Sequence, residues 1–122
     1  MAGETLLVVD ESLVHARLLS VFLENAGYQV HVASDFEQAL EKTQMVRPFL
    51  VLVDIHIPRQ GGMALVRKIR SNPQNLKMKI LMITDSVVIE EEKLMEAGCD
   101  GYLSKPVDTR DLPRIIGGFI EK

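Results

Sequence analysis

A single cysteine, Cys99, in 122 residues excludes an internal disulfide framework, and so sparing a use suits a reducing, cytosolic setting. No apolar run approaches the roughly 20 residues of a membrane span. The run Leu6 to Val9 is far too short, and Met1 to Glu4 carry no basic region of a secretory leader. The net charge of -3 argues against a nucleic-acid surface as the main business of the chain. His15, His31 and His56 fall on different elements without zinc spacing, so ligation through imidazole is not expected. Internal repeats, linkers and low-complexity tracts are absent. What is left is 47% hydrophobic and 25% charged, the composition of one domain, residues 1–122, with chain enough to bury a core.

The most informative stretch runs from Leu50 to Pro58. Leu50, Val51, Leu52 and Val53 lead straight into Asp54, which predicts a strand buried on both faces and ending in a carboxylate. Pro58 and Gly61-Gly62 then turn the backbone toward a helix. Around this centre the chain alternates. Thr5 to Val9 and Tyr28 to Ala33 predict the first two strands, Lys79 to Ile83 the fourth and Gly101 to Ser104 the fifth. The first helix is predicted after an N-cap at Ser12, with Val14, Leu18, Val21 and Phe22 at helical spacing and Gly27 past its end. Asp35 caps a second helix to about Thr43, and a third follows Gly62 and closes at Ser71-Asn72-Pro73. The fourth spans Val88 to Ala97, and a fifth begins at Asp108 or Thr109, with Pro113 tolerable only near its start. Five βα units with short connections imply a parallel sheet with helices on both faces. The expected fold is α/β and flavodoxin-like, a doubly wound (βα)5 sheet with strand order 2-1-3-4-5.

Chemistry in such sheets collects at the carboxyl ends of the strands. Strand one offers Asp10 and Glu11, strand three Asp54, strand four Thr84 and strand five Lys105. Three carboxylates in one corner repel each other unless a cation intervenes, and hard oxygen ligands in an open site suit Mg2+. A metal, a lysine and a hydroxyl around one carboxylate are what phosphoryl transfer to that carboxylate requires.

At these residues the chain resembles bacterial response-regulator receiver domains of the chemotaxis-regulator type, over essentially its whole length. The resemblance rests on Val8-Val9-Asp10-Glu11-Ser12, Val53-Asp54-Ile55-His56-Ile57-Pro58 with Gly62 beyond, Thr84, Glu96-Ala97-Gly98, and Tyr102-Leu103-Ser104-Lys105-Pro106. It implies that Asp54 accepts a phosphoryl group from a phosphohistidine on a sensor histidine kinase or histidine phosphotransfer protein. It implies further that Asp10, Glu11, Asp54 and the His56 carbonyl hold Mg2+, that Lys105 pairs with Asp54 or the phosphoryl oxygens, and that Thr84 and Tyr102 form the switch. His56, Asp85 and Ser86 would modulate the rim. The output would be a rearranged surface on the fourth helix, fifth strand and fifth helix, read by a downstream protein or an output domain of the same protein and suited to a homodimer. A cytoplasmic phosphorelay component that is not itself an enzyme, beyond self-catalysed phosphotransfer and autodephosphorylation, is expected, without direct nucleic-acid or membrane contact.

Two positions depart from the pattern. Glu11 stands where Asp is common, and Asp85 follows the switch threonine where a small residue is usual. Asp85 is expected either to repel an incoming anion or to cap the fourth helix. Rival readings stay open at this point. A haloacid-dehalogenase-type phosphatase needs Asp-x-Asp on strand one, and Ser12 breaks it. A flavin or nucleotide module needs a phosphate loop where acidic Asp10-Glu11 stands. A receiver-like interaction domain that is never phosphorylated is the remaining alternative.

Overall fold

In a computed structural model, which describes residues 3–85 and 91–121, the chain forms five strands and five α-helices in alternation. They are β1 (Thr5–Val9), α1 (Leu13–Asn25), β2 (Gln29–Ala33), α2 (Phe36–Val46), β3 (Leu50–Asp54), α3 (Gly61–Arg70), β4 (Lys79–Thr84), α4 (Glu91–Ala97), β5 (Gly101–Ser104) and α5 (Leu112–Ile120), with a 3-10 turn at Pro73–Asn75. The strands pair in parallel in the order β2-β1-β3-β4-β5, as the alternation requires.

Strand periodicity divides the core into two layers. Leu7, Val9, Val51, Val53, Ile80 and Met82 face one side and pack with Leu65, Val66 and Ile69 of α3 and Leu94 of α4. Leu6, Val8, Leu50, Leu52, Leu81 and Ile83 face the other and pack with Leu19 and Leu23 of α1 and Leu112 and Ile116 of α5. The register, Leu6 with Leu50 and Leu7 with Val51, keeps each set on its own face. All five residues of β3 are buried, because this strand lies at the centre of the sheet, paired on both edges and covered by helices on both faces.

The predicted boundaries hold within a few residues, and the departures have local causes. Ser12 caps α1 by accepting from the His15 N–H, and Asp35 caps α2 through Gln38. The last helix starts at Leu112 rather than Asp108 or Thr109. Asp108 Oδ1 accepts the N–H groups of Arg110 and Asp111, so those residues form a turn before the helix begins. In α1 the apolar spacing located the helix but not its buried face. Ala16, Leu19, Ser20 and Leu23 face the sheet, while Val14 is 82% exposed and Leu18 and Val21 are about half exposed. The start of the fourth helix, predicted from Val88, lies outside the described residues. Cys99 is buried and burial pushes its thiol up to about 11, which removes it as a nucleophile.

Gly62 shows why the turn after β3 needs glycine. A Cβ there would lie 2.8 Å from the Asp54 carbonyl oxygen, 2.9 Å from Ile55 Cα and 3.0 Å from Met82 Sδ. Two of these are backbone atoms that cannot yield. Gly62→Ala is expected to cost about 1–3 kcal/mol; urea unfolding checks it, and an unchanged midpoint would mean that the turn can shift freely.

Candidate functional site

β1 and β3 are neighbours at the point where the strand order reverses, and both end in aspartate. Asp10 is held at the end of β1 by its N–H, which donates to the Ala33 carbonyl at 3.0 Å. Asp54 closes β3 in register with Ile83 of β4. Lys105 follows β5, with its N–H on the Thr84 carbonyl at 2.8 Å. Sheet pairing alone therefore brings Asp10, Asp54, Thr84 and Lys105 to one end of the molecule.

The two aspartates are arranged alike. Each uses Oδ1 to accept the backbone N–H two residues on: Ser12 donates to Asp10 at 2.9 Å and His56 to Asp54 at 2.8 Å. Each turns Oδ2 toward a basic side chain. Lys105 Nζ lies 2.8 Å from Asp54 Oδ2, and His15 Nδ1 contacts Asp10 Oδ2. Asp10 is 2% and Asp54 5% exposed, so these contacts replace the water that the two buried side chains give up. Burial alone would push the Lys105 ammonium down. The hydrogen bond and charge of Asp54, with Asp85 and Asp10 behind it, more than reverse this and hold it above its ordinary value.

The arrangement refines two expectations. The expected acidic corner is present, and within it Asp54 is paired with Lys105 and Asp10 with His15. Imidazole ligation was not expected, yet Asp10, His15 and Asp54 offer ligand atoms within 4.8 Å of one another. Histidine spacing could not reveal this. The usable signal was the Ser12 cap, which sets His15 in the first turn of α1, directly over the end of β1.

Glu11 is exposed and stands outside that trio, though it lines the same cleft. The cleft, of about 800 Å³, is bounded by Asp10, Glu11, His15, Asp54, His56 and Lys105, with Leu18, Pro106 and Val107 as an apolar wall. Thr84 is buried beside Asp54 on the adjacent strand. Tyr102 is half-buried and packs against the α2–α3–α4 side of the core. At the rim, His56 Nε2 and Asp85 Oδ1 are 2.7 Å apart, both more than half exposed. The hydrogen bond from His56 holds the Asp85 carboxyl below its ordinary range. Ser86 lies outside the described residues, as does the helix start that Asp85 was offered to cap. The trio of two carboxylates and an imidazole can hold a divalent cation, and Asp54 beside Lys105 can act as an oxygen nucleophile toward an anionic group.

Comparison with known proteins agrees with this geometry. The family model of the response regulator receiver domain matches residues 6–117. The chain is 35% identical over 121 residues to the alkaline phosphatase synthesis transcriptional regulatory protein PhoP of Bacillus subtilis, covering 98% of this chain and 50% of that protein. The chain thus spans about half the length of the curated relatives it matches. Among solved structures, the chemotaxis response regulator CheY4 of Vibrio cholerae superposes with a TM-score of 0.90 at 28% identity, covering 97% of this chain and 99% of that one. The receiver domain of sensor histidine kinase PA1611 from Pseudomonas aeruginosa, described with a magnesium ion coordinated in its active-site cleft, superposes with a TM-score of 0.88 at 27% identity, covering 99% of this chain and all of that one. With five parallel strands in the order 2-1-3-4-5 and an aspartate-lined cleft at the switch point, the chain belongs to the response regulator receiver domain family.

Proposed function

We propose that residues 1–122 act as one receiver unit that takes a phosphoryl group onto Asp54 from a phosphohistidine of a sensor kinase or histidine phosphotransfer protein. A carboxylate oxygen of Asp54 attacks phosphorus, the phosphorus–nitrogen bond breaks, and the histidine leaves as neutral imidazole once its nitrogen gains a proton. The observation that carries this reading is a buried aspartate whose outward oxygen faces one lysine. Lys105 orients the nucleophile before transfer and can follow the charge onto the phosphoryl oxygens afterwards. The buried Thr84 hydroxyl is assigned to a third oxygen.

Asp10 and Asp54 fit a hard divalent cation, since their outward oxygens converge on the cleft. Glu11 reaches that position by rotating inward, and the His56 carbonyl is assigned as a further oxygen ligand. Mg2+ bound there would supply positive charge to the transferring phosphoryl group. A magnesium ion in the cleft of the related PA1611 domain supports the assignment.

Phosphorylation would draw Thr84 toward the new group and let Tyr102 move into the space behind it. This shifts the surface of α4, β5 and α5 for a downstream protein, an output domain or a second copy of the chain. No helix among the described residues is long and apolar enough to cross a membrane. A cytoplasmic phosphorelay role, signalling rather than turning over a substrate, is the reading that fits best.

The test is incubation with a small acyl phosphate and Mg2+, followed by mass spectrometry. The expected result is one labile phosphoryl group on wild type, none on Asp54→Asn, and none in excess chelator. Labelling that survives in Asp54→Asn would overturn the assignment.

The His56–Asp85 pair changes what is expected at the rim. A lone Asp85 carboxylate at the rim would oppose the approach of an anionic donor. Its contact with His56 and its exposure to solvent offset part of that. Asp85→Ala is therefore expected to speed acyl-phosphate labelling by about two- to fivefold, with the gain shrinking as salt rises. An unchanged rate at low salt would remove Asp85 from the list of rim modulators.

A further inference from the structure

The first turn of α1 puts a nitrogen donor where the receiver reaction needs only oxygens. His15 is held there twice: Ser12 Oγ accepts its backbone N–H at 3.2 Å, and its ring Nδ1 contacts Asp10 Oδ2. Asp10 Oδ1 and Asp54 Oδ1 are tied to the N–H groups of Ser12 and His56. The outward oxygens of both aspartates are therefore oriented by their own backbone before any ligand arrives, as second-shell partners orient metal ligands. With His15 they offer three donor atoms within 4.8 Å of one another. Three ligands at about 2.0–2.2 Å from one ion lie roughly 3–4 Å apart, so side-chain adjustments of about an ångström close the set.

We propose that His15 makes this corner a mixed nitrogen–oxygen site that binds Zn2+ through Asp10, His15 and Asp54, in competition with the hard cation of the receiver reaction; this rests on the reading of Asp54 as phosphoacceptor only for its effect on labelling. Imidazole is a favoured ligand of zinc and a poor one of magnesium, which prefers carboxylate, carbonyl and water. Two carboxylates and one imidazole match the three protein ligands of open zinc sites, leaving a fourth position to water from the cleft. The ion takes the place of the proton shared by His15 and Asp10 and displaces Lys105 from Asp54 Oδ2. The displaced proton goes to solvent. Zinc in this position excludes magnesium from the same corner, so labelling in zinc is expected to differ from labelling in magnesium.

Isothermal titration of the metal-free protein with ZnCl2 and with MgCl2 tests the site, using wild type, His15→Gln and His15→Ala. Zinc is expected to bind wild type at least about tenfold more tightly than magnesium, with one ion per chain. Both His15 variants should lose about 10- to 100-fold in zinc affinity while magnesium affinity stays the same or rises. His15→Gln keeps a hydrogen-bonding group beside Asp10, which separates loss of a ligand from loss of packing. The His15 ring resonances should shift on adding zinc and not on adding magnesium. Equal zinc affinity in wild type and both variants, or zinc no tighter than magnesium in wild type, would overturn the proposal. Acyl-phosphate labelling is scored separately: failure of Asp54 to label with zinc affinity still dependent on His15 sinks the receiver reading and leaves the zinc site standing.

Discussion

Lys105→Met is expected to slow phosphoryl labelling of Asp54 by about two orders of magnitude, the usual cost of removing one preorganised donor to a developing charge. The same change is expected to lower stability by about 1–2 kcal/mol in chelator. Removing one partner of a buried ion pair costs more than this when both are sealed from water. Here the lysine side chain is 28% exposed, and Asp54 keeps the His56 N–H, so the smaller figure applies. The pH dependence follows from the raised Lys105 value. A group whose folded pKa lies above its unfolded one stabilises fully below the unfolded value and loses that contribution as pH rises through the folded value. The stability gap between wild type and Lys105→Met should therefore be constant near neutrality and close only above about pH 10.5, the ordinary lysine value. Asp54→Ala should behave oppositely, abolishing labelling while leaving stability unchanged or raised, because it takes one carboxylate away from Asp10. Urea unfolding with acyl-phosphate labelling on both variants checks this. Near wild-type labelling in Lys105→Met would remove Lys105 from the chemistry.

Arg70→Ala is expected to cost about 3 kcal/mol and to lower the melting temperature by roughly 10–15 °C. From the end of α3, Arg70 donates Nε to the Gly98 carbonyl at 2.8 Å, one terminal nitrogen to the Asn75 carbonyl at 2.7 Å, and the other to Asp100 Oδ2 at 2.7 Å. Asp100 Oδ2 also accepts the Ile80 N–H at 2.8 Å. One side chain thus ties α3, the turn before β4 and the turn before β5. Truncation leaves two carbonyls without their arginine donor and Asp100 with only the Ile80 N–H, and only 16% of the arginine side chain is exposed, so water replaces it poorly. Gly98 belongs to the same device: its φ is +112°, and a Cβ there would meet Arg70 Cγ at 2.5 Å. Arg70→Lys should recover little, since one ammonium cannot span three acceptors. A loss under about 1 kcal/mol for Arg70→Ala would show that the helix end and the two turns hold their positions without it.

Much of this was legible in the chain itself because it depends on local patterns. Alternating apolar runs and helical stretches, punctuated by Ser12, Asp35, Pro58 and Gly62, dictate five βα units. Crossover handedness then leaves few ways to order the strands. Once β1 and β3 are neighbours, Asp10 and Asp54 must share a corner, and Lys105 and Thr84 follow from where β4 and β5 end. The buried face of α1 was not legible, because that helix is apolar on more than one side. Spacing cannot choose between Val14-Leu18-Val21 and Ala16-Leu19-Leu23; the small Ala16 and Ser20 let the second set approach the sheet. Nor was the pairing of the charges. Which oxygen of Asp54 meets Lys105, that His15 contacts Asp10, that Glu11 stays in solvent, and that His56 reaches Asp85 across 29 positions depend on side-chain directions a few ångströms apart. Sequence spacing carries no record of those directions, because they are set where separate strand ends and loops come together in space.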